Sequence, residues 1–184
     1  DMNLASVTNS VSMFNGANTL TTVGNLNLSN TSNTGSMFSG CTGLTTVGNV
    51  YTPNTTFTAG MFNNCFGLTS GPVLSISKST NASTMFNACQ SLNSVPSYDL
   101  SNVTTTAGMF SGCTSLKSVG NINMPKCTTA NTMFSSANSL PIANITVSSN
   151  LTAAVSMFSS AWGLVSLPIT LVGNSITSAA LTTN

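Results

Sequence analysis

The sequence predicts a repeat solenoid of β-rich, 24-residue coils joined by short turns or single helical turns. Three observations predict it. The dipeptide Met-Phe recurs at Met13, Met37, Met61, Met85, Met109, Met133 and Met157, always 24 residues apart. Apolar residues recur in register with it. The remainder is nearly chargeless: of 184 residues only Asp1, Asp99, Lys78, Lys117 and Lys126 are charged, whereas Ser, Thr and Asn together number 83. A typical soluble domain carries about 25% charged residues. The period organises the chain as one solenoid domain, 1–184: a partial coil over 1–12, seven repeats over 13–180 and a tail over 181–184.

With Met as position one, the columns separate inside from outside. Position two is always Phe and position eight always Leu, from Leu20 to Leu164. Position five is Cys41, Cys65, Cys89 and Cys113, flanked by Ala17, Ala137 and Ala161. Position eleven is mostly Val, with Gly71, Ala143 and Leu167 as exceptions. Position fourteen runs Leu26, Val50, Leu74, Tyr98, Ile122, then slips by one residue to Ile145 and Ile169. Position sixteen is apolar at Leu28, Ile76, Leu100, Met124 and Val172, and position nineteen at Val7, Val103, Cys127 and Leu151. These columns are expected to face inward, and the intervening Ser, Thr, Asn and Gly outward.

Steps of three between apolar positions also occur in helices. Long helices are excluded because the intervening residues are poor helix formers, and Gly or Pro interrupts most repeats at position twelve (Gly24, Gly48, Pro72, Pro96, Gly120, Pro168). One coil cannot bury its own apolar face, so successive coils must stack, roughly 4.8 Å apart if they pair as parallel strands.

The run Met109-Phe-Ser-Gly-Cys-Thr-Ser-Leu-Lys-Ser-Val, preceded by Leu100-Ser-Asn-Val-Thr, resembles the BspA-type leucine-rich repeats of bacterial surface proteins. The resemblance covers all seven repeats and weakens in the last two. It implies a leucine-rich-repeat-like solenoid, usually at a surface and often adhesive, with no catalytic residues. The sequence differs from many such proteins in its near-complete lack of Asp between repeats.

The composition excludes several functions. Three Lys and no Arg do not make a nucleic-acid interface or a polybasic membrane anchor. No apolar run approaches the ~18 residues of a membrane span, so no membrane insertion is expected. No basic segment followed by an apolar run opens the sequence, and the start at Asp1 fits a processed or excised piece. There is no His for a triad. Asp1 and Asp99 are about four coils apart, no glycosidase pair, and Lys117 beside Ser118 is only the loosest Ser–Lys pair. No Cys-x-x-Cys occurs, so neither a zinc site nor any other cofactor is expected. The five Cys read as free core thiols. Side chains in an in-register column point the same way, a poor geometry for bridging, and Ala replaces Cys at the ends of that column.

Two sets of residues are binding candidates. Phe66 and Trp162 occupy position six, otherwise polar and expected to be exposed, so they mark a contact surface or pack locally on a cap or loop. Thr56, Thr80, Thr104, Thr128 and Thr152 continue a hydroxyl column at position twenty that begins with Thr8 and Ser32. Such an array suits ordered water, ice, glycans or another coil, or is a stabilising ladder. Beside it, position eighteen is mostly Asn, with Lys78 and Lys126 substituting. Seven Asn-x-Ser/Thr sequons match what chance delivers in so Asn- and hydroxyl-rich a chain and do not argue for glycosylation.

The expected function is non-enzymatic: a structural or adhesive surface or fibre protein presenting a Ser/Thr/Asn-rich face, extracellular, at a cell surface or in an appendage or virion. Its expected partners are further copies of itself, joined end to end or laterally, or a host-surface protein or glycan. Longitudinal association, or continuation in a longer chain, is suggested by the partial first coil and uncharged last repeat. The alternative is an ice-binding or carbohydrate-binding solenoid.

Overall fold

In the computed structural model, residues 1–141, 145–165 and 169–172 are described. Among them there is no helix. The architecture is β-rich, with small parallel sheets whose strands are only two to four residues long.

The ten strands are β1 (Met2–Asn3), β2 (Thr22–Val23), β3 (Leu26–Asn27), β4 (Thr46–Val47), β5 (Val50–Tyr51), β6 (Ser94–Val95), β7 (Ser118–Val119), β8 (Ile122–Met124), β9 (Ile145–Ser148) and β10 (Ile169–Val172). They form sheets β1-β3-β5, β10-β9-β8, β2-β4 and β6-β7. Every pair is parallel, and partners lie one 24-residue unit apart, as in Leu26↔Val50 and Thr22↔Thr46. The exception is Ile122↔Ile145, 23 residues apart. That is the slip read at position fourteen: the strand keeps its inward face, and the residue is lost before it, because a slip within the strand would turn every side chain over. A column of single bridges runs Asn9, Asn33, Phe57, Asn81, Thr105, Thr129, Ala153, again one unit per step.

The inward columns are as expected. Phe38, Phe62, Phe86, Phe110, Phe134 and Phe158 are buried, with Met, Cys or Ala, and Leu beside them. The seven rings from Phe14 to Phe158 stack with centroids 5.2–5.7 Å apart and planes within 16°. In the first unit the same positions are only half-buried at Phe14 and Leu20, and Met13 is 38% exposed. Tyr98 replaces an aliphatic residue at position fourteen. It stacks on Phe86 at 5.9 Å and donates its hydroxyl to the Pro72 carbonyl at 3.0 Å. Gly71 makes this possible, since a Cβ there would lie 2.7 Å from the Tyr98 oxygen. Ala143, Leu167, Pro168, Asn174 and the 181–184 tail lie outside the described residues, as do the side chains of Ile169 and Val172.

Two expectations need correction. Of the two connections considered after Met-Phe, short turns or single helical turns, the helical turn does not form. Each Met-Phe segment is bracketed by residues in the left-handed region. Position twenty-four includes Ser36, Gly60, Thr84, Gly108 and Thr132, and position four includes Gly40, Asn64, Ala88, Gly112 and Ser136, with φ between 53° and 73°. That conformation breaks a right-handed helix. The N–H groups alternate instead. Ser36, Phe38 and Gly40 donate to Ala59, Met61 and Asn63 in the next unit, while Met37, Ser39 and Cys41 close local turns on Thr34, Ser36 and Phe38.

The second correction concerns position twenty-two, a largely polar column read as outward, which packs against the inward position nineteen. Ser10, Thr34, Thr58 and Thr106 at position twenty-two are buried, and so are Thr31, Thr55 and Ser79 at position nineteen. Position twenty-two of one unit meets position nineteen of the next. The Thr34 and Thr55 hydroxyls are 3.4 Å apart, those of Thr58 and Ser79 3.0 Å, and the Thr106 hydroxyl is 3.7 Å from the Cys127 thiol. The equivalent places elsewhere hold Ala82 with Val103 and Ala130 with Leu151, all buried. Polar faces polar, and apolar faces apolar. Among the described residues no buried side-chain oxygen or nitrogen lacks a partner, as the cost of burying an unpaired polar group requires.

Candidate functional site

The Thr column is one continuous ladder. Ser32, Thr56, Thr80, Thr104, Thr128 and Thr152 are all exposed, and each donates both its backbone N–H and its hydroxyl to the carbonyl of the residue 24 before it. The N–H bonds are 2.8–3.0 Å and the hydroxyl bonds 3.0–3.3 Å. The single hydrogen of each hydroxyl is therefore committed to the protein, and what faces solvent is a row of oxygens and methyl groups. Beside it, the amides of Asn30, Asn54 and Asn102 donate to the carbonyls of Ala5, Ser29 and Ser77 at 2.8–2.9 Å. Lys78 and Lys126 donate instead to the amide oxygens of Asn54 and Asn102, at 2.7 and 2.6 Å.

Phe66 and Trp162 both project from the exposed position-six column, at 39% and 72% exposure. The fold does not bring them together. Four units separate them, roughly 19 Å at about 4.8 Å per strand step.

The residues with chemical potential are engaged in structure. Cys41, Cys65, Cys89, Cys113 and Cys127 are free and buried. The first four donate their thiols to the carbonyls of Phe14, Phe38, Phe62 and Phe86 at 3.0–3.1 Å. Burial pushes the Cys65 and Cys113 thiols up to about 12 and Cys89 well above its ordinary value, the opposite of an activated nucleophile. The two carboxylates do the work of Asn. Asp1 accepts the Asn25 N–H at 2.9 Å, as Asn25 accepts that of Asn49 at 2.8 Å. Asp99 accepts the Ser101 N–H at 3.0 Å, as Asn27 accepts that of Ser29 at 3.2 Å. Hydrogen bonds from the Ser101 side chain and backbone hold the Asp99 carboxyl below its usual range. Among the described residues no group of three or more Cys, Asp or Glu could hold a metal ion, and no helix is long and apolar enough to cross a membrane.

Tyr51 was not among the sequence candidates. It is 53% exposed at position fifteen, where the two preceding units carry Asn3 and Asn27. It borders an open concavity of about 520 Å³ over β1-β3-β5. The signal that could have found it is the one that marked Phe66: an aromatic residue breaking an otherwise polar column.

The family model described as "Mycoplasma protein of unknown function, DUF285" matches residues 1–75 and again residues 73–166. The chain belongs to that family. No curated protein and no solved structure matches it.

Proposed function

We propose that this member of the DUF285 family is a solenoid of the BspA-like, leucine-rich-repeat type. It acts as a non-enzymatic structural or adhesive module, at a cell surface or in an appendage or virion. The observation that carries the reading is the set of side-chain ladders. Thr, Asn, Cys and the Asp1 carboxylate are spent on joining one unit to the next, so the outer surface is nearly uncharged, regular and chemically quiet. Such a surface suits a spacer or a face for contact with a host-surface protein or glycan, not turnover. The committed hydroxyl hydrogens of the Thr column favour a stabilising ladder over an ice-binding face.

Phe14 and Leu20 are half-buried, and the apolar face they form would be covered by a second copy or by a further unit of a longer chain; association of copies end to end is part of the proposal. Sedimentation velocity with electron microscopy tests it. The expected result is rod-shaped particles that lengthen with concentration, and Phe14→Asp stops the lengthening. Globular particles, or monomers at every concentration, overturn it.

A further inference from the structure

We infer that the outward face of β1-β3-β5 is a binding site for a neutral saccharide. Position thirteen, just before each strand, and position fifteen within it are exposed on either side of the inward position fourteen, as Asn25 and Asn27 flank buried Leu26. Asn3, Asn25, Asn27, Asn49 and Tyr51 line the concavity, with Met2 and Leu26 at its base along the chain between them. The site therefore combines one exposed aromatic ring with side-chain amides on neighbouring strands.

The amides are held ready. Asn3, Asn25 and Asn27 have their Oδ1 atoms occupied by the N–H groups of Ala5, Asn49 and Ser29, at 3.1, 2.8 and 3.2 Å. Each side chain is thus oriented, and its Nδ2 donors are what it has left to offer a ligand. Saccharides match this set. The C–H face of a pyranose stacks on an aromatic ring, and its hydroxyls accept amide hydrogen bonds. Adjacent strands about 4.8 Å apart place successive amides near the spacing of successive sugar rings. Neutrality follows from the charge inventory. Asp1 is the one charged side chain along the concavity, and neither Lys nor Arg lines it to hold a carboxylate, sulfate or phosphate. The volume lies within the usual range for small-ligand sites.

The inference rests on the adhesive reading only in giving that surface a ligand, and the solenoid and its end-to-end assembly stand without it. The test is a glycan array of neutral and anionic oligosaccharides, followed by titration of the best neutral binder. Tyr51→Ala is expected to weaken binding about tenfold or more, with Tyr51→Phe close to wild type, Asn27→Ala several-fold weaker, and Phe66→Ala and Trp162→Ala unchanged. Far-UV circular dichroism checks that each variant is folded. No neutral glycan bound at millimolar concentration, preference for anionic glycans, or Tyr51→Ala binding like wild type overturns the inference. Rods seen by electron microscopy alongside any of these results would leave the structural role intact.

Discussion

The junction at Thr58 and Ser79 and the next one, at Ala82 and Val103, occupy the same place between successive units. One is made of hydroxyls and the other of hydrocarbon. Both are fully buried, so neither composition is needed for burial itself. What matters is that the two sides agree. A hydroxyl facing Val would lose its contact across the junction and keep only the Asn81 carbonyl, which accepts from both Thr58 and Ser79 at 3.0 and 3.2 Å, whereas a matched pair keeps both kinds of contact or needs neither. Thr106 facing Cys127 is a third version, with a thiol as partner. A unit displaced by one would place Thr58 against Val103, so the matched pairs also favour the native order of stacking.

The largest blow to the fold comes from within its apolar core. Leu92 is fully buried, and Leu92→Asp should destabilise the fold by about 4 kcal/mol or more, or unfold it, because the charge has no partner. Urea denaturation or thermal melting reads this directly.

Alkali is next, because it attacks thiols across several units at once. Desolvation raises the Cys65 and Cys113 thiols from the ordinary 9.0 to about 12, and raises Cys89 and Cys127 in the same direction. Below pH 9 both states keep these protons and stability is full. Above it the unfolded chain releases protons that the native chain retains, so stability falls as pH rises toward about 12. The urea midpoint should be level to pH 8 and then decline. Cys65→Ala with Cys113→Ala, copying Ala137, should flatten that decline.

The comparison itself is sharpened by a double-mutant cycle. Thr58→Ala and Ser79→Val should each cost about 1–2 kcal/mol. Together they reproduce the Ala82–Val103 pair, and the double variant should be about 1 kcal/mol more stable than the sum of the singles predicts. Simple additivity of the urea midpoints would show that the agreement between the two sides has no energetic meaning. The smallest effect belongs outside: Thr114→Ala, at an exposed position-six site, should stay within about 0.5 kcal/mol of wild type.

These expectations also mark what could be read from the sequence. Phe, Leu, Cys and the position-fourteen aliphatics are inside because their own chemistry puts them there, so period, inward columns and even the slip at Ile145 were legible. Thr34, Thr58 and Thr106 were not, since a small hydroxyl looks the same whether it meets water or a buried partner one unit away. Left-handed turns at Ser36, Thr84 and Ala88 were hidden for a related reason: glycine, the usual marker, stands at only some members of those columns. On the candidate site, exposure of Phe66, Trp162 and the Thr column was legible. The commitment of the Thr hydroxyls, the concavity beside Tyr51 and the distance between the two aromatics depend on three-dimensional placement.

The 23-residue step between Ile122 and Ile145 has a consequence for how such a chain can drift. The offset returns to 24 at Thr129 and Ala153, so the residue lost before the strand is regained after it and the unit keeps its length. Insertions and deletions in this molecule are therefore filtered by location rather than by size. The segments on either side of β9 differ by one residue in opposite senses, while the pairing of the strand and the 24-residue spacing of Met-Phe stay fixed.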